Sequence, residues 1–91
     1  MIRLSPTAGN VKVTFVLPVD LTASGCSVVG DFNEWRPGAH QMRRRSNGTR
    51  SASVTLPRGT RFRFRYLGTN DHWFNDPDVR ELDGSDSIIV V

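Results

Sequence analysis

The sequence predicts an all-β fold, an immunoglobulin-like β-sandwich of about seven short antiparallel strands. Hydrophobic and polar residues alternate with a period of two in nearly every segment, as they do in strands with one buried face. Turn residues recur every ~8–12 residues, a spacing typical of sandwiches. No segment shows the 3.6-residue period of an amphipathic helix. A small closed barrel is the competing architecture, because periodicity alone does not separate the two.

The chain length allows one small domain. Its 91 residues can enclose a single core, which excludes a large multidomain enzyme. We assign residues 1–10 to an N-terminal lead-in and residues 11–91 to the domain. No apolar run approaches the ~20 residues of a membrane span, and the first residues lack the apolar stretch of a signal peptide. We therefore expect a cytoplasmic location and no membrane partner.

Seven segments have the strand pattern: Val11–Leu17, Cys26–Gly30, His40–Arg45, Ala52–Leu56, Thr60–Leu67, Trp73–Asn75 and Ile88–Val91. The first places its apolar residues at odd positions and ends at Pro18, which has no N–H to continue a sheet. The second is a short apolar run that ends at Gly30. A polar loop with the turn pair Pro37-Gly38 follows it.

The third and fourth segments form a predicted hairpin. A two-residue turn would place Met42 on the polar face of its partner strand. A three-residue loop over residues 46–48, with Gly48 in the left-handed conformation, places Met42 opposite Ala52. We predict this bulged loop because only then do the apolar faces of the two strands agree.

The fifth segment has the clearest alternation, and the same period predicts which way the side chains of the sixth segment point. One face of Thr60–Leu67 is aromatic and the other is basic: Phe62, Phe64 and Tyr66 against Arg61, Arg63 and Arg65. In the short segment before Asp76-Pro77, an inward Phe74 requires an outward Trp73. We expect Trp35 to be less exposed than Trp73, with Phe32 filling the core beneath its loop.

Catalytic and metal-binding residues are not predicted. Cys26 lies in an apolar strand, where a buried and unreactive thiol is expected. The two histidines and the cysteine lack the spacing of a metal site. Asp31 and Glu34 are expected to belong to a solvated loop. The sequence therefore favours a domain that is not an enzyme and that carries no cofactor.

Three motifs together resemble a known family: Gly30-Asp-Phe-Asn-Glu-Trp35, Phe62-Arg-Phe-Arg-Tyr66 and Trp73-Phe-Asn-Asp-Pro77. They are similar to the isoamylase N-terminal-like early-set domain, which is carbohydrate-binding module family 48, the glycogen-binding module. The resemblance runs from about Val11 to Val91. It implies an early-set immunoglobulin-like sandwich and an association with α-1,4/1,6-glucans such as glycogen, with a glucan-metabolising enzyme as a further partner.

The resemblance also implies a carbohydrate-binding site. Trp35 and Trp73 match the two tryptophans that grip the sugar, and Arg65 matches a basic residue on the preceding strand. Leu82 matches a leucine that wedges against the sugars, and Asp86 matches a polar residue of the site. Gly84 and Asp86 stand where that pattern has Thr and Asn.

Three functions follow from these observations. The first is a non-catalytic α-glucan-binding module of weak affinity that stacks sugars on exposed tryptophans. The alternative is an early-set domain that binds no sugar and acts as a protein-interaction or scaffold unit. The third is nucleic-acid binding by the strand arginines together with Arg43 and Arg45, which the net charge of +3 permits. We disfavour the third, because an arginine-rich strand face is usually a solvated face.

Overall fold

A computed structural model describes residues 1–19 and 25–91 and places nine β-strands in them. The strands are β1 (Ile2–Thr7), β2 (Asn10–Pro18), β3 (Cys26–Gly30), β4 (Arg43–Arg44), β5 (Thr49–Pro57), β6 (Arg61–Gly68), β7 (Trp73–Phe74), β8 (Leu82–Asp83) and β9 (Asp86–Val90). Two short 3-10 turns, Asp31–Asn33 and Thr69–Asp71, follow β3 and β6. Among the described residues, no helix is long and apolar enough to cross a bilayer.

The strands form two antiparallel sheets that pack as a sandwich. Sheet A has the order β1-β2-β5-β4. Sheet B has the order β3-β6-β9-β8, and β7 pairs with β6 along the same edge as β9. The predicted all-β, immunoglobulin-like sandwich is confirmed, and the strands do not form a closed barrel.

The core lies between the sheets and is built from alternate residues of their central strands. Its main contributors are Val11, Val13, Phe15, Leu17, Val28, Met42, Phe62, Phe64 and Tyr66. The Phe15 ring centroid lies 5.0 Å from that of Phe64. Phe32 is partly buried and stacks on Phe15 at 5.8 Å, so the expectation that Phe32 plugs the core is confirmed.

The β4–β5 hairpin has the predicted register. Arg43 lies opposite Ser51, and the same register sets Met42 beside Ala52. The Arg45 N–H donates to the Thr49 carbonyl at 2.7 Å, which closes a three-residue loop. Gly48 has φ 79°, the left-handed conformation that this loop needs.

The segment before β4 differs from the prediction. We predicted one strand over His40–Arg45, but only Arg43–Arg44 pair with β5. Residues 40–42 instead bond to β3, through Val28 N–H to the His40 carbonyl at 3.0 Å and Met42 N–H to the Cys26 carbonyl at 2.9 Å. The chain therefore passes from sheet B to sheet A here, which hydrophobic alternation does not reveal.

Two strands were not predicted. β1 lies in the segment assigned to a lead-in, and it pairs with β2 from Ile2↔Phe15 to Thr7↔Asn10. Only Ile2 of β1 is partly buried, so this edge strand lacks the alternation that marks a strand with one covered face. β8 has two residues, too few to carry a period.

Candidate functional site on the outer face of sheet B

β6 organises the candidate site because it lies at the centre of sheet B. Its aromatic residues Phe62, Phe64 and Tyr66 are buried in the core, as predicted. Arg61 and Arg63 are exposed and Arg65 is partly buried on the opposite, outer face. The two-residue period of the strand thus places a row of guanidinium groups on the outside of the sandwich.

Trp73 joins this row from the neighbouring strand. β7 pairs with β6 so that Trp73 lies opposite Leu67 and Phe74 lies opposite Tyr66. Phe74 is partly buried and packs on Tyr66 with ring centroids 5.4 Å apart, whereas Trp73 keeps 37% of its surface exposed. The predicted outward Trp73 and inward Phe74 are confirmed.

Arg65 and Trp73 are in direct contact. The Cζ atom of Arg65 lies 5.6 Å from the centroid of the Trp73 ring, a cation–π geometry that orients both side chains. The Nε atom of Arg65 is buried and has no hydrogen-bond partner among the described residues. Buried polar atoms normally have a partner, so this unpaired N–H is an exception in the packing beside Trp73.

Trp35 is held by the loop that follows β3. Glu34 and Trp35 both have positive φ values, 56° and 55°, a conformation that non-glycine residues adopt rarely. The backbone N–H of Trp35 donates to the Gly30 carbonyl at 3.0 Å. Asn33 supports the same turn by accepting from Gly30 N and donating to the Val28 carbonyl. Trp35 is partly buried and less exposed than Trp73, as predicted.

Asp31 connects Trp35 to β6. Its carboxylate accepts from Trp35 Nε1 at 3.0 Å, from the Arg63 backbone N–H at 3.0 Å and from Arg63 Nε at 3.3 Å. Partial burial acts to raise the pKa of Asp31, but these hydrogen bonds and the charge of Arg63 outweigh it and lower the pKa below its usual value. Trp35 is thus tied to the β3 side of β6, and Trp73 lies on the β7 side.

Two buried aliphatic residues belong to the same outer face as Arg65 and Trp73. Val29 pairs with Arg65 and Ile88 pairs with Arg63, and paired residues share a face. Val29 is fully buried and Ile88 is 4% exposed, although neither belongs to the core between the sheets. The outer face is therefore a packed surface with an apolar floor.

Comparison with known proteins identifies the family. The model of Carbohydrate-binding module 48 (Isoamylase N-terminal domain) matches residues 20–80. The chain belongs to this family. It is also similar to an amylopullulanase of Thermoanaerobacterium thermosulfurigenes, with 32% identity over 95 residues. That match covers 100% of this chain but 5% of the amylopullulanase, so the chain spans a small part of that relative.

The remaining residues expected from the module 48 pattern lie in the β8–β9 hairpin. Asp86 is partly buried and close enough to Arg63 to raise the pKa of that guanidinium, although Asp31 contributes more. Leu82 is 51% exposed, but it pairs with Ser87, whose neighbour in β6 is Phe64. By this register the Leu82 position belongs to the side of the sheet opposite Trp73. The structure therefore brings Arg65 and Trp73 together but does not bring Leu82 to them.

Asn75 positions this hairpin relative to β7. Its Nδ2 donates to the Ser85 carbonyl at 2.9 Å, while its Oδ1 is buried without a partner among the described residues. Sequence reasoning assigned no role to Asn75, Asp31, Val29 or Ile88. Adjacent valines at 28 and 29 were an available signal, because a strand with apolar residues on both faces is covered on both.

The arginine face suggested for nucleic acid does not exist as one surface. Arg43 pairs with β5 in sheet A, whereas Arg61, Arg63 and Arg65 lie on sheet B. Arg63 is also partly neutralised, since it contacts Asp31 at 3.3 Å and Asp83 at 3.8 Å. This correction removes the sequence argument for a nucleic-acid site built from both groups of arginines.

Cys26 is 2% exposed, which confirms the prediction of a buried thiol. Burial raises its pKa to about 11, even though a backbone hydrogen bond from Leu67 and the charge of Arg50 oppose the shift. The thiolate is the nucleophilic form of cysteine, and it is scarce at neutral pH when the pKa is raised in this way.

Proposed function

We propose that this domain is a non-catalytic module that binds α-1,4/1,6-glucan, such as glycogen, on the outer face of sheet B. The observation that carries the proposal is the contact between Arg65 and the exposed ring of Trp73, in a chain that belongs to carbohydrate-binding module family 48. The C–H face of a glucose ring stacks on Trp73. The Arg65 guanidinium donates to a sugar hydroxyl at the edge of the ring.

Trp35 provides a second stacking surface on the other side of β6. β3 and β7 are separated by ~10 Å across the sheet. Arg63, which anchors Trp35 through Asp31, lies four residues, or ~13 Å, along β6 from Leu67 opposite Trp73. Val29 and Ile88 form the floor of this face, and Asp86 adds a carboxylate at the rim. Leu82 shares the face of Phe64 rather than that of Trp73, so we leave it out of the proposed site.

We expect weak binding of short oligosaccharides. If each indole removes ~100 Å² of apolar surface from water, the gain is ~2.5 kcal/mol per ring. Ordering and association costs offset much of the sum, which leaves a Kd on the order of 0.1–1 mM or weaker. A polymer with many equivalent chain ends raises the apparent affinity through multivalency.

This affinity suits a tethering role. The similar stretch of the amylopullulanase is 5% of a long polypeptide, so a domain of this kind occurs beside other domains. We propose that the partner of this module is a glucan-metabolising enzyme, covalently joined or separate. The module would then hold the polymer near that enzyme while performing no chemistry itself.

The test compares Trp73→Ala with Leu4→Ala. Leu4 is a matched control because it is 48% exposed and lies on sheet A. Wild type and Leu4→Ala are expected to be retained on immobilised glycogen and to show a saturable change in tryptophan fluorescence with maltoheptaose. Trp73→Ala is expected to lose retention with its circular dichroism unchanged, and Arg65→Ala to weaken it less. Raising salt should change retention little, because a neutral sugar releases no counterions.

Retention that survives Trp73→Ala would contradict the site while leaving the family intact. A wild type that binds neither glycogen nor maltoheptaose would contradict the proposed function. The outcome would then favour the alternative of a protein-interaction or scaffold unit. Gly84 and Asp86, which replace the Thr and Asn of the family pattern, are the residues that favour that alternative.

A further inference from the structure

A second polar surface lies where the chain crosses from sheet B to sheet A, and part of it belongs to the outer face of sheet A. Its centre is a cleft of about 370 Å³ between residues 38–41 and the β4–β5 hairpin. This volume lies within the ~300–1,000 Å³ of small-molecule sites. The polar side chains that line it are those of His40, Gln41, Arg43, Arg45, Ser51 and Ser53.

Two arginines dominate the cleft, and the strand register places both on its wall. Arg43 lies opposite Ser51, and Arg45 is two residues further along the same face. The Nε of Arg45 donates to Ser51 Oγ at 2.7 Å, which fixes its guanidinium while leaving the two terminal nitrogens as donors. No carboxylate pairs with either arginine within residues 1–19 and 25–91.

His40 adds a further donor. Asn33 Oδ1 accepts from Gly30 N and its Nδ2 donates to the Val28 carbonyl, so the orientation of this amide is determined. The same Nδ2 lies 3.0 Å from His40 Nδ1, which must therefore accept. A neutral imidazole that accepts at Nδ1 carries its proton on Nε2, so the ring offers an N–H.

The strands of sheet A carry no carboxylate side chain. They lie within residues 2–18 and 43–57, which hold six basic residues and no Asp or Glu. An excess of positive charge on one sheet concentrates anions near it.

We propose that this cleft binds a phosphate monoester. Guanidinium groups pair with phosphate oxygens in bidentate geometry, and hydroxyl groups complete the donor set. A monoester dianion matches two unpaired arginines better than a singly charged phosphodiester or carboxylate does. The outer face of sheet A presents no aromatic residue in the described ranges, so it lacks the stacking platform of single-stranded nucleic-acid sites.

The phosphate group has two possible sources, a free sugar phosphate or a phosphate ester on a glucan chain. The second source rests on the proposed function, whereas the first does not. Inorganic phosphate and glucose 6-phosphate probe the cleft alone, with glucose as the uncharged comparison. Maltoheptaose with and without a phosphate ester probes the second source.

The experiment is an NMR titration of backbone amides at constant ionic strength. Inorganic phosphate and glucose 6-phosphate are expected to give saturable shifts at Gln41, Ser51 and Ser53. Arg43→Gln and Arg45→Gln are each expected to weaken binding on the order of tenfold, as loss of one charge-assisted contact does. Arg61→Gln, the matched control on sheet B, should leave the titration unchanged.

The proposal would be overturned if the shifts do not saturate. It would also be overturned if Arg61→Gln weakens phosphate binding as much as Arg43→Gln does. Tighter and steeply salt-dependent binding of duplex DNA, lost in Arg43→Gln and Arg45→Gln, would overturn it in favour of a nucleic-acid surface. If Trp73→Ala abolishes maltoheptaose binding but glucose 6-phosphate still binds, the source is the free sugar phosphate. The other outcome is that the phosphate ester tightens the binding of maltoheptaose. If that gain in affinity is lost in both Trp73→Ala and Arg43→Gln, the source is the phosphate ester on the glucan.

Discussion

At the scale of single residues, Asp31 is the side chain on which the geometry of Trp35 depends. Its lowered pKa means that the native state favours the carboxylate, so its contribution to stability is present above the ordinary Asp pKa of 3.8 and is lost as the pH falls through the lower native value. Protonation removes the charge that attracts Trp35 Nε1 and Arg63. We predict that acidification below pH ~4 changes the fluorescence of Trp35.

The measurement uses a Trp73→Phe background, so that Trp35 is the only tryptophan, and excitation at a wavelength that Tyr66 does not absorb. Asp31→Asn should show the acid-state emission at neutral pH and no further change on acidification. Glu34→Gln is the control, because Glu34 is exposed and its ion pair in the described part of the chain is with the exposed Arg36 at 3.4 Å. An acid transition that persists in Asp31→Asn would show that another group controls the ring.

The two residues at the centre of the candidate site were predictable, but its floor was not. Alternation along β6 and the stop at Asp76-Pro77 determine that Arg65 and Trp73 point outward. The adjacent valines 28 and 29 indicate that both faces of β3 are covered. Only the pairing of β3 with β6 shows that Val29 lies beside Arg65. Long-range pairing of this kind is absent from local sequence.

At the scale of elements, Gly30 allows β3 to approach β6 closely, because it has no side chain. Its φ of −170° is open to any residue, so its side-chain volume is what matters. A Cβ atom on Gly30 would lie 2.4 Å from the Arg63 carbonyl oxygen and 2.9 Å from Phe64 Cβ, within backbone that cannot move freely. Gly48 is the opposite case, because a Cβ there meets no atom within 4 Å but φ is 79°.

We predict that Gly30→Ala costs ~3 kcal/mol or more, through overpacking, and Gly48→Ala ~1–2 kcal/mol, through backbone conformation alone. Urea denaturation gives both values. Amide hydrogen exchange should show lost protection across β3 and β6 only in Gly30→Ala, which should also weaken glycogen retention. Equal losses in the two variants would show that the sheet can absorb the added volume.

The register of the β4–β5 hairpin was predictable from the sequence, but the crossing of residues 40–42 from sheet B to sheet A was not. The register of β4 and β5 follows from one requirement, that Met42 and Ala52 share an apolar face, and the structure has that register. Residues 40–42 satisfy the same alternation while bonding to β3 in the other sheet. Side-chain period specifies which face is buried, but it does not specify which strand is the neighbour.

At the scale of the whole molecule, the charge is divided between the two sheets. The strands of sheet A carry basic residues and no Asp or Glu, whereas sheet B and its loops carry Asp31, Glu34, Asp71, Asp76, Asp78, Glu81, Asp83 and Asp86. A neutral glucan suits the mixed face, and an anion suits the basic one. One small sandwich can thus present two faces to chemically different ligands.

Stability in alkali tests the packing of the core, because its thiol and its phenol, Cys26 and Tyr66, are buried at the same end of sheet B. Burial is the largest cause of the raised pKa of Cys26, about 11, and of Tyr66, whose hydroxyl also donates to Asp76 at 2.6 Å. For groups whose native pKa is raised, the stabilising effect is complete below the ordinary pKa, 9.0 for the thiol and 10.0 for the phenol, and it is lost as the pH rises towards the native value.

We therefore predict that the free energy of unfolding falls by about 1.4 kcal/mol per pH unit from pH ~9 upward, mainly because the unfolded thiol loses its proton first. The thiol contribution ends near pH 11, where the native thiol also titrates, and the unfolded phenol continues the fall above pH 10. Urea denaturation at half-unit steps measures the slope. Cys26→Ala should remove most of the loss between pH 9 and 10, and Tyr66→Phe should keep that loss but level off near pH 11. A wild type whose stability is constant from pH 9 to 10 would mean that the thiol is open to solvent, which is incompatible with β3 packed against β6.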